Sequence, residues 1–447
     1  MISLDRQPIR VCEWASRSAA GLTPRQREEI DSIVTEWGRA AGLPDSPLQF
    51  HGPDGSTLTA RHYVGVIEVS GVCIEIFPKL DKALLSEGAL PSDKQADTVM
   101  ANLLWMMASC RFMDLTESDA AHLATAPVTY YDVFAYLMAK RLRSELEAGI
   151  AHFYVAAEDD LRAVRGRINI SEQITRNWNR MDRIACQWDE FTPDIPLNRL
   201  FKCTCRILQA RVTNPAAIQV LSQCCDLLDD VTDVEPRVAL SEIRTTRWHR
   251  ANDRFRDCFD MAVRLLAGTG YEMGVGSDKS FVFLIDMNGL FEAFAGAVLE
   301  ASFGVSITAQ ATIGNLFNDP ECINQRPDFS WKSSGLSWVG DAKYKILAGD
   351  GRSDALAKFW DLQPDDVRQL TVYAEMRRQP EGKPLSIALL YPFVGDSLPS
   401  TKPATAWNGS PFWLVPVRVT RPQGTITDIQ SAMPEIRNIQ YAQVTIV

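Results

Sequence analysis

Three residues in one short stretch, Asp328, Asp341 and Lys343, carry the side chains that metal-assisted phosphodiester hydrolysis requires. The stretch is RPDFSWKSSGLSWVGDAKYKI, from Arg326 to Ile346, in which a Pro-Asp pair and an Asp-Ala-Lys triplet flank a turn-like segment. Two carboxylates can hold a hard divalent cation through oxygen. A nearby ammonium can orient the attacking water or offset charge developing on a phosphate. Short motifs of this kind also arise by chance on solvated strands, so the surrounding elements decide their weight.

Phe329 and Trp331 alternate with polar residues, Lys332 to Gly335 is turn-like, and Leu336, Trp338 and Val339 begin a second strand; the pattern predicts an antiparallel hairpin. Side chains repeat every second residue along a strand, so Asp341 and Lys343 share a face. A turn centred between Ser333 and Ser334 places Asp328 opposite Val339, on that same face. Lys345 shares it too and is a secondary candidate to Lys343. Upstream, Phe281 to Ile285 reads as a strand and Asn288 to Phe303 as a helix carrying Glu292, either a further site carboxylate or a surface glutamate. Downstream, the helix DVRQLTVYAEMRR sets Gln369 and Tyr373 four apart on one face, as site support or as ordinary half-buried packing. With strands at Leu385 to Tyr391 and Trp413 to Val419, this makes a mixed α/β domain whose ligands belong at strand ends.

The 447-residue chain is long enough for two or three domains, its 46% apolar content suffices for packed cores, and 23% charged residues argue against disorder. No stretch is long and apolar enough to span a bilayer, and MISLDRQPIR lacks a signal-peptide core, so a soluble cytoplasmic protein with no membrane attachment is expected. The ten cysteines include no CxxC pair and the five histidines are dispersed, which favours buried free thiols over a zinc site. A net charge of -10 argues against a chain that holds DNA by an overall basic surface. Arginines concentrate locally at Arg162, Arg165 and Arg167, at Arg176, Arg180 and Arg183, and from Arg244 to Arg256, each group also explicable as a solvated face.

Residues 1–92 read as an N-terminal α+β module, with a helix from Pro24 to Ala41 and a hairpin from Tyr63 to Lys79 about Ser70-Gly71. Residues 93–270 read as mainly helical, with Arg165-Gly166-Arg167-Ile168 as a basic turn between helices and a helix starting near Leu197 after Pro193 and Pro196. Gly268 to Ser277 reads as a Gly-rich linker without the Lys-Ser/Thr of a phosphate loop, so no nucleotide is expected on this chain. Residues 271–447 form the C-terminal domain.

Taken in order, these features resemble a known family. Asp328, Asp341 and Lys343 stand in the signature positions of the PD-(D/E)xK nuclease fold, with Glu292 in the place of its helix glutamate. FPK at Phe77 to Lys79, the RGRI turn, CQWDEFTPDIPLNRLFK from Cys186 to Lys202 and FLIDMNGLFEAF from Phe283 to Phe294 together resemble the McrC family, the nuclease subunits of McrBC modification-dependent restriction systems, from about Val66 to Tyr391. The resemblance implies a restriction-endonuclease-like C-terminal domain that binds Mg2+, or Mn2+ as a substitute, through Asp328, Asp341, the Ala342 carbonyl and Glu292, with Lys343 positioning the nucleophile. It also implies that the N-terminal half docks on a hexameric McrB-like AAA+ GTPase, stimulates GTP hydrolysis and serves cleavage of double-stranded DNA carrying 5-methylcytosine. Arg165 and Arg167 are candidates for the stimulating residues or parts of the scaffold. A stand-alone nuclease and a non-catalytic GTPase-activating adaptor are the alternatives, and the intact Asp328, Asp341 and Lys343 weigh against the adaptor.

Overall fold

The computed structural model describes residues 8–40, 46–81, 84, 90–246, 248–268, 280–304, 306–312, 314–318, 321–333, 336–345, 364–376, 385–394 and 403–420. The fold is mixed α/β, and its contacts form two compact units. One comprises Met1–Ile67, Val72–Thr125 and Phe283–Val447, the other Glu68–Gly71 and Ala126–Val282. The first unit joins both ends of the chain, unlike the three consecutive segments drawn from sequence, because a late strand completes an early sheet. The N-terminal hairpin forms as Tyr63–Val69 and Val72–Phe77, turning through Ser70 and Gly71 at positive φ. Its sheet runs in the order Ile9–Cys12, Val72–Phe77, Tyr63–Val69, Ser280–Asp286.

Gly65 makes the last of these pairings sterically feasible. Its φ is +147°, and a Cβ there would lie 2.0 Å from the Phe283 carbonyl oxygen, so only glycine lets the two backbones approach. The chain then enters the helix Met287–Phe303. The Asp286 carboxylate caps it by accepting from the Asn288 N–H at 2.9 Å, and the Met287 N–H donates to the His62 carbonyl at 3.0 Å.

The second sheet of this unit has the order Thr308–Ala309, Phe329–Ser333, Leu336–Ala342, Ser386–Phe393, Pro411–Arg418, Ala404–Thr405. Leu336–Ala342, Ser386–Phe393 and Pro411–Arg418 run parallel, with antiparallel strands on either side. The latter two are buried along almost their whole length, as strands covered on both faces must be. Val339, Ile387 and Leu389 pack with Leu370 and Tyr373 of the helix Pro364–Met376.

The second unit contains the helices Tyr130–Glu147, Pro196–Gln209, Pro215–Leu227 and Arg256–Gly268, but also a sheet in the order Phe153–Leu161, Ile184–Thr192, Arg167–Ile168. This sheet was not expected, and the RGRI segment is not a turn between helices: it bends at Gly166 and continues as the strand Arg167–Ile168. The strands lack a period-two apolar face because Tyr154, Val155, Ile168 and Phe191 all remain exposed. Gly166 has φ +69°, and a Cβ there would meet the Gln187 carbonyl oxygen at 2.4 Å. Arg165 lies over the Trp188 ring at 4.4 Å and pairs with Glu190 at 3.2 Å, while Arg167 Nε donates to Gln187 Oε1 at 2.8 Å. Both arginines therefore brace the sheet. The linker expected after Gly268 lies outside the described residues.

Nine described cysteines are free and seven of them are buried, as the scattered spacing suggested. No helix among the described residues is long and apolar enough to cross a membrane. The fully buried Asp132 organises the helical part of the second unit. Its Oδ2 accepts from the Thr129 N–H and hydroxyl at 2.8 and 2.7 Å, and its Oδ1 from the Thr213 and Asn214 N–H groups at 2.8 and 2.9 Å. The starts of Tyr130–Glu147 and Pro215–Leu227 are thereby held by one carboxylate. Asp132→Ala leaves buried donors unpartnered and is expected to lower the unfolding free energy by about 2–4 kcal/mol in a urea titration. A loss below about 0.5 kcal/mol, the range of surface substitutions, would contradict this role.

Candidate active site

The hairpin pairs Ser333 with Leu336, Trp331 with Trp338, Ser330 with Val339 and Phe329 with Gly340. The Trp331 and Trp338 rings stack with centroids 5.4 Å apart, a cross-strand contact that favours this register. Val339 therefore faces Ser330, whereas the sequence placed it opposite Asp328. The shift is two residues, and a two-residue step keeps every side chain on its face. Continued by one pair, it brings Asp328 level with Asp341.

Hydrogen bonds hold that arrangement. The Ala342 N–H donates to Asp328 Oδ2 at 2.8 Å, and the Lys343 N–H to the Leu390 carbonyl at 2.9 Å. Lys343 Nζ stands 2.6 Å from Asp341 Oδ2, an atom with no well-oriented hydrogen bond on a residue only 2% exposed. Glu292, on the helix Met287–Phe303, accepts at Oε1 from the Gln310 amide at 2.7 Å. Gln310 in turn donates its N–H to the Asp328 carbonyl at 2.9 Å and accepts from Arg326 Nε at 3.0 Å. Gln310 links the helix carboxylate to the hairpin. It escaped sequence reading because it lies between elements in a segment without periodicity.

Burial pushes the Asp328 carboxyl up to about 7, helped by the negative charges of Asp341 and Glu292 and opposed by the Ala342 N–H and Lys343. For Lys343, burial works against the ammonium, but the charges of Asp341, Asp328 and Asp366 and the bond to Asp341 outweigh it, and its pKa is raised. Lys343 is accordingly a cation at neutral pH and unsuited to act as a general base. The oxygen-only donor set, with one carboxylate reluctant to ionise beside two others, fits a hard divalent cation. Among the described residues no three His, Cys, Asp or Glu groups enclose such a position as they stand. Lys343 occupies Asp341 and Gln310 occupies Glu292, so both contacts would have to yield.

The cleft beside these groups has a volume of about 690 Å3 and draws its walls from both ends of the chain: Glu292, Asp328 and Lys343, and also Glu13, Trp14, His62 and Lys79. Glu13, 1% exposed, accepts at Oε1 from the Lys79 N–H at 2.8 Å and the Tyr344 hydroxyl at 2.6 Å. Its burial pushes it up to about 7. The sole hint of Glu13 in the sequence is a carboxylate set among apolar residues in RVCEW. Lys345 borders the cleft but pairs with Asp366 at 2.7 Å. Gln369 and Tyr373 are not brought to the cleft: Gln369 Nε2 donates to the Tyr373 hydroxyl at 2.6 Å, and Tyr373 is in the core.

Comparison with known proteins bears on this geometry. No curated protein matches the chain. Among solved structures, it is similar to a half-complex from a tetradecameric assembly of Thermococcus gammatolerans McrB AAA+ hexamers with bound McrC, at 19% identity and a TM-score of 0.63, covering 96% of this chain and 100% of that one. A second, the cryo-EM structure of the Thermococcus gammatolerans McrBC complex, aligns at 21% identity and a TM-score of 0.41 over 66% of this chain and 88% of that one. The model of the McrBC 5-methylcytosine restriction system component family matches residues 58–392, a span that takes in Glu292, Asp328, Asp341 and Lys343, and the chain belongs to that family.

Proposed function

We propose that the chain is a McrC-type nuclease subunit whose C-terminal PD-(D/E)xK domain hydrolyses DNA phosphodiesters with a divalent cation. The observation that carries this reading is the meeting of Asp328, Lys343 and Glu292 at one cleft, with the buried Asp341 2.6 Å from the Lys343 ammonium, in a chain of this family. Asp328, Asp341 and the Ala342 carbonyl would hold Mg2+, or Mn2+ in its place, with Glu292 in support. The ion would supply positive charge to the phosphate and a bound water of lowered pKa. The remaining work falls to the chain itself. Lys343, once its contact with Asp341 yields to the cation, offsets charge on the phosphate oxygens and orients the nucleophile, and the Ala342 N–H fixes the Asp328 carboxylate.

On this reading the chain docks on a McrB-like AAA+ GTPase, stimulates its hydrolysis and receives methylated duplex DNA through it. A net charge of -10 suits a subunit whose partner does most of the DNA holding. The exposed Tyr154 and Phe191, paired across the small sheet with ring centroids 5.0 Å apart, form apolar surface of the kind a partner covers.

With partner, GTP and Mg2+ present, Asp341→Ala and Lys343→Ala are each expected to slow cleavage of methylated duplex by about 10²-fold or more, while stimulation of GTP hydrolysis persists. Cleavage at the parent rate by either variant would remove these roles. A second expectation concerns protein held in chelator. The folded-state pKa of Asp328, about 7, lies above its unfolded value, so its contribution to stability is full below about pH 4 and is lost as the pH rises through 7. Asp328→Asn keeps an acceptor for the Ala342 N–H and should therefore melt above the parent at pH 8, with the gain fading towards pH 4. Mg2+ should raise the pH 8 melting temperature of the parent and not of the variant. Parallel melting curves at every pH would contradict the burial of an ionised Asp328.

A further inference from the structure

We propose that Trp14 is a base-stacking residue of the cleft, holding one nucleobase of the DNA strand beside the Asp328–Lys343 site. The ligand class rests on the nuclease reading above; the choice of residue rests on three independent observations.

The first is conformational. Trp14 has φ 57°, the left-handed region, where a side chain of this bulk is an outlier. The surrounding turn enforces it: the Trp14 N–H donates to the Ala60 carbonyl at 3.0 Å and the Ala15 N–H to the Cys12 carbonyl at 3.1 Å. Glycine or asparagine would suit such a turn better. The second is the small return in packing. Trp14 is 55% exposed, and its ring meets His62 in a tilted contact at 5.9 Å. A strained backbone presenting an aromatic face to solvent is a poor structural device and a good binding one.

The third is placement. Trp14 lines the same cleft as Glu292, Asp328 and Lys343. The residue before it, Glu13, binds the hydroxyl of Tyr344, the residue after Lys343, and the same oxygen holds the Lys79 N–H. Trp14 is thus fixed with respect to the Lys343 backbone through one buried carboxylate, and Lys79 adds a cationic side chain to the same cleft wall. An aromatic face, ammonium groups and a phosphodiester-cleaving centre in one cleft match a nucleic-acid strand with a base turned out of the stack. Stacking accepts any base, so it would position the strand without reading sequence.

The test uses the full chain. Trp14→Gly removes the ring and relieves the left-handed strain. Its melting temperature should equal or exceed that of the parent, while its affinity for a fluorescent oligonucleotide with an unpaired stretch, read by anisotropy with Ca2+ in place of Mg2+, should fall on the order of tenfold, the size of one base–aromatic stack. With partner, GTP and Mg2+ present, KM for methylated duplex should rise more than kcat falls. Trp14→Phe should keep most of the affinity. Parent-like affinity in Trp14→Gly overturns the proposal, as does a drop in melting temperature with the lost affinity not restored by Trp14→Phe. Binding is read without cleavage, so failure of the nuclease reading shows separately, as an Asp341→Ala variant that still cuts.

Discussion

Holding Asp328, Asp341 and Glu292 close together and partly out of water is the constraint from which the arrangement of the first unit follows. Unpaired buried charges of one sign are costly by several kcal/mol each. The structure meets that cost from several elements: the Lys343 ammonium at Asp341, the Ala342 N–H at Asp328 and the Gln310 amide at Glu292. At Asp328 burial and the neighbouring carboxylates outweigh these partners, and its pKa is raised. Two of these partners, Lys343 and Gln310, are side chains, and only the Ala342 N–H belongs to the backbone.

Such a cluster requires a rigid frame, and the frame is assembled from distant sequence. Glu13 and Tyr344 are 331 positions apart, yet their hydrogen bond secures the backbone just beyond Lys343. Gly65 and Phe283 bring the strand before the Glu292 helix against the N-terminal hairpin, and the Met287 N–H at the His62 carbonyl fixes where that helix begins. The residues around the early sheet are therefore part of the cleft wall, and damage to the sheet is expected to reach the Asp328–Lys343 cluster.

The hairpin that carries the candidate site residues was the most legible part of the chain. Asp328, Asp341 and Lys343 sit in a hairpin whose alternation fixes the face, and a face survives a two-residue error in register because the strand period is two. Glu292 was legible from the helix that carries it. Gln310, Glu13 and the position of Trp14 at the cleft were not, because long-range folding brings them there and leaves no local period. The small sheet of the second unit was missed for a different reason: its strands leave apolar residues exposed, so burial imposed no pattern on them. Gln369 and Tyr373 illustrate the remaining ambiguity. Four residues apart on a helix, they did meet, but at the edge of the core rather than at the cleft.

Three places break the local rules of a well-packed protein: a carboxyl that resists ionisation at Asp328, a left-handed tryptophan at Trp14, and an apolar sheet surface around Tyr154 and Phe191. Such conflicts persist where another constraint outweighs them. On the proposed reading each is relieved by a different ligand: a divalent cation, a nucleobase and a protein partner. Binding that favours the folded state adds to its stability, so the chain gains most when all three are engaged. That coupling also orders events. A subunit of net charge -10 gains little from meeting DNA alone, and the arrival of strand and cation through a docked partner would bring the site to its least strained form only in the complex that is meant to cut.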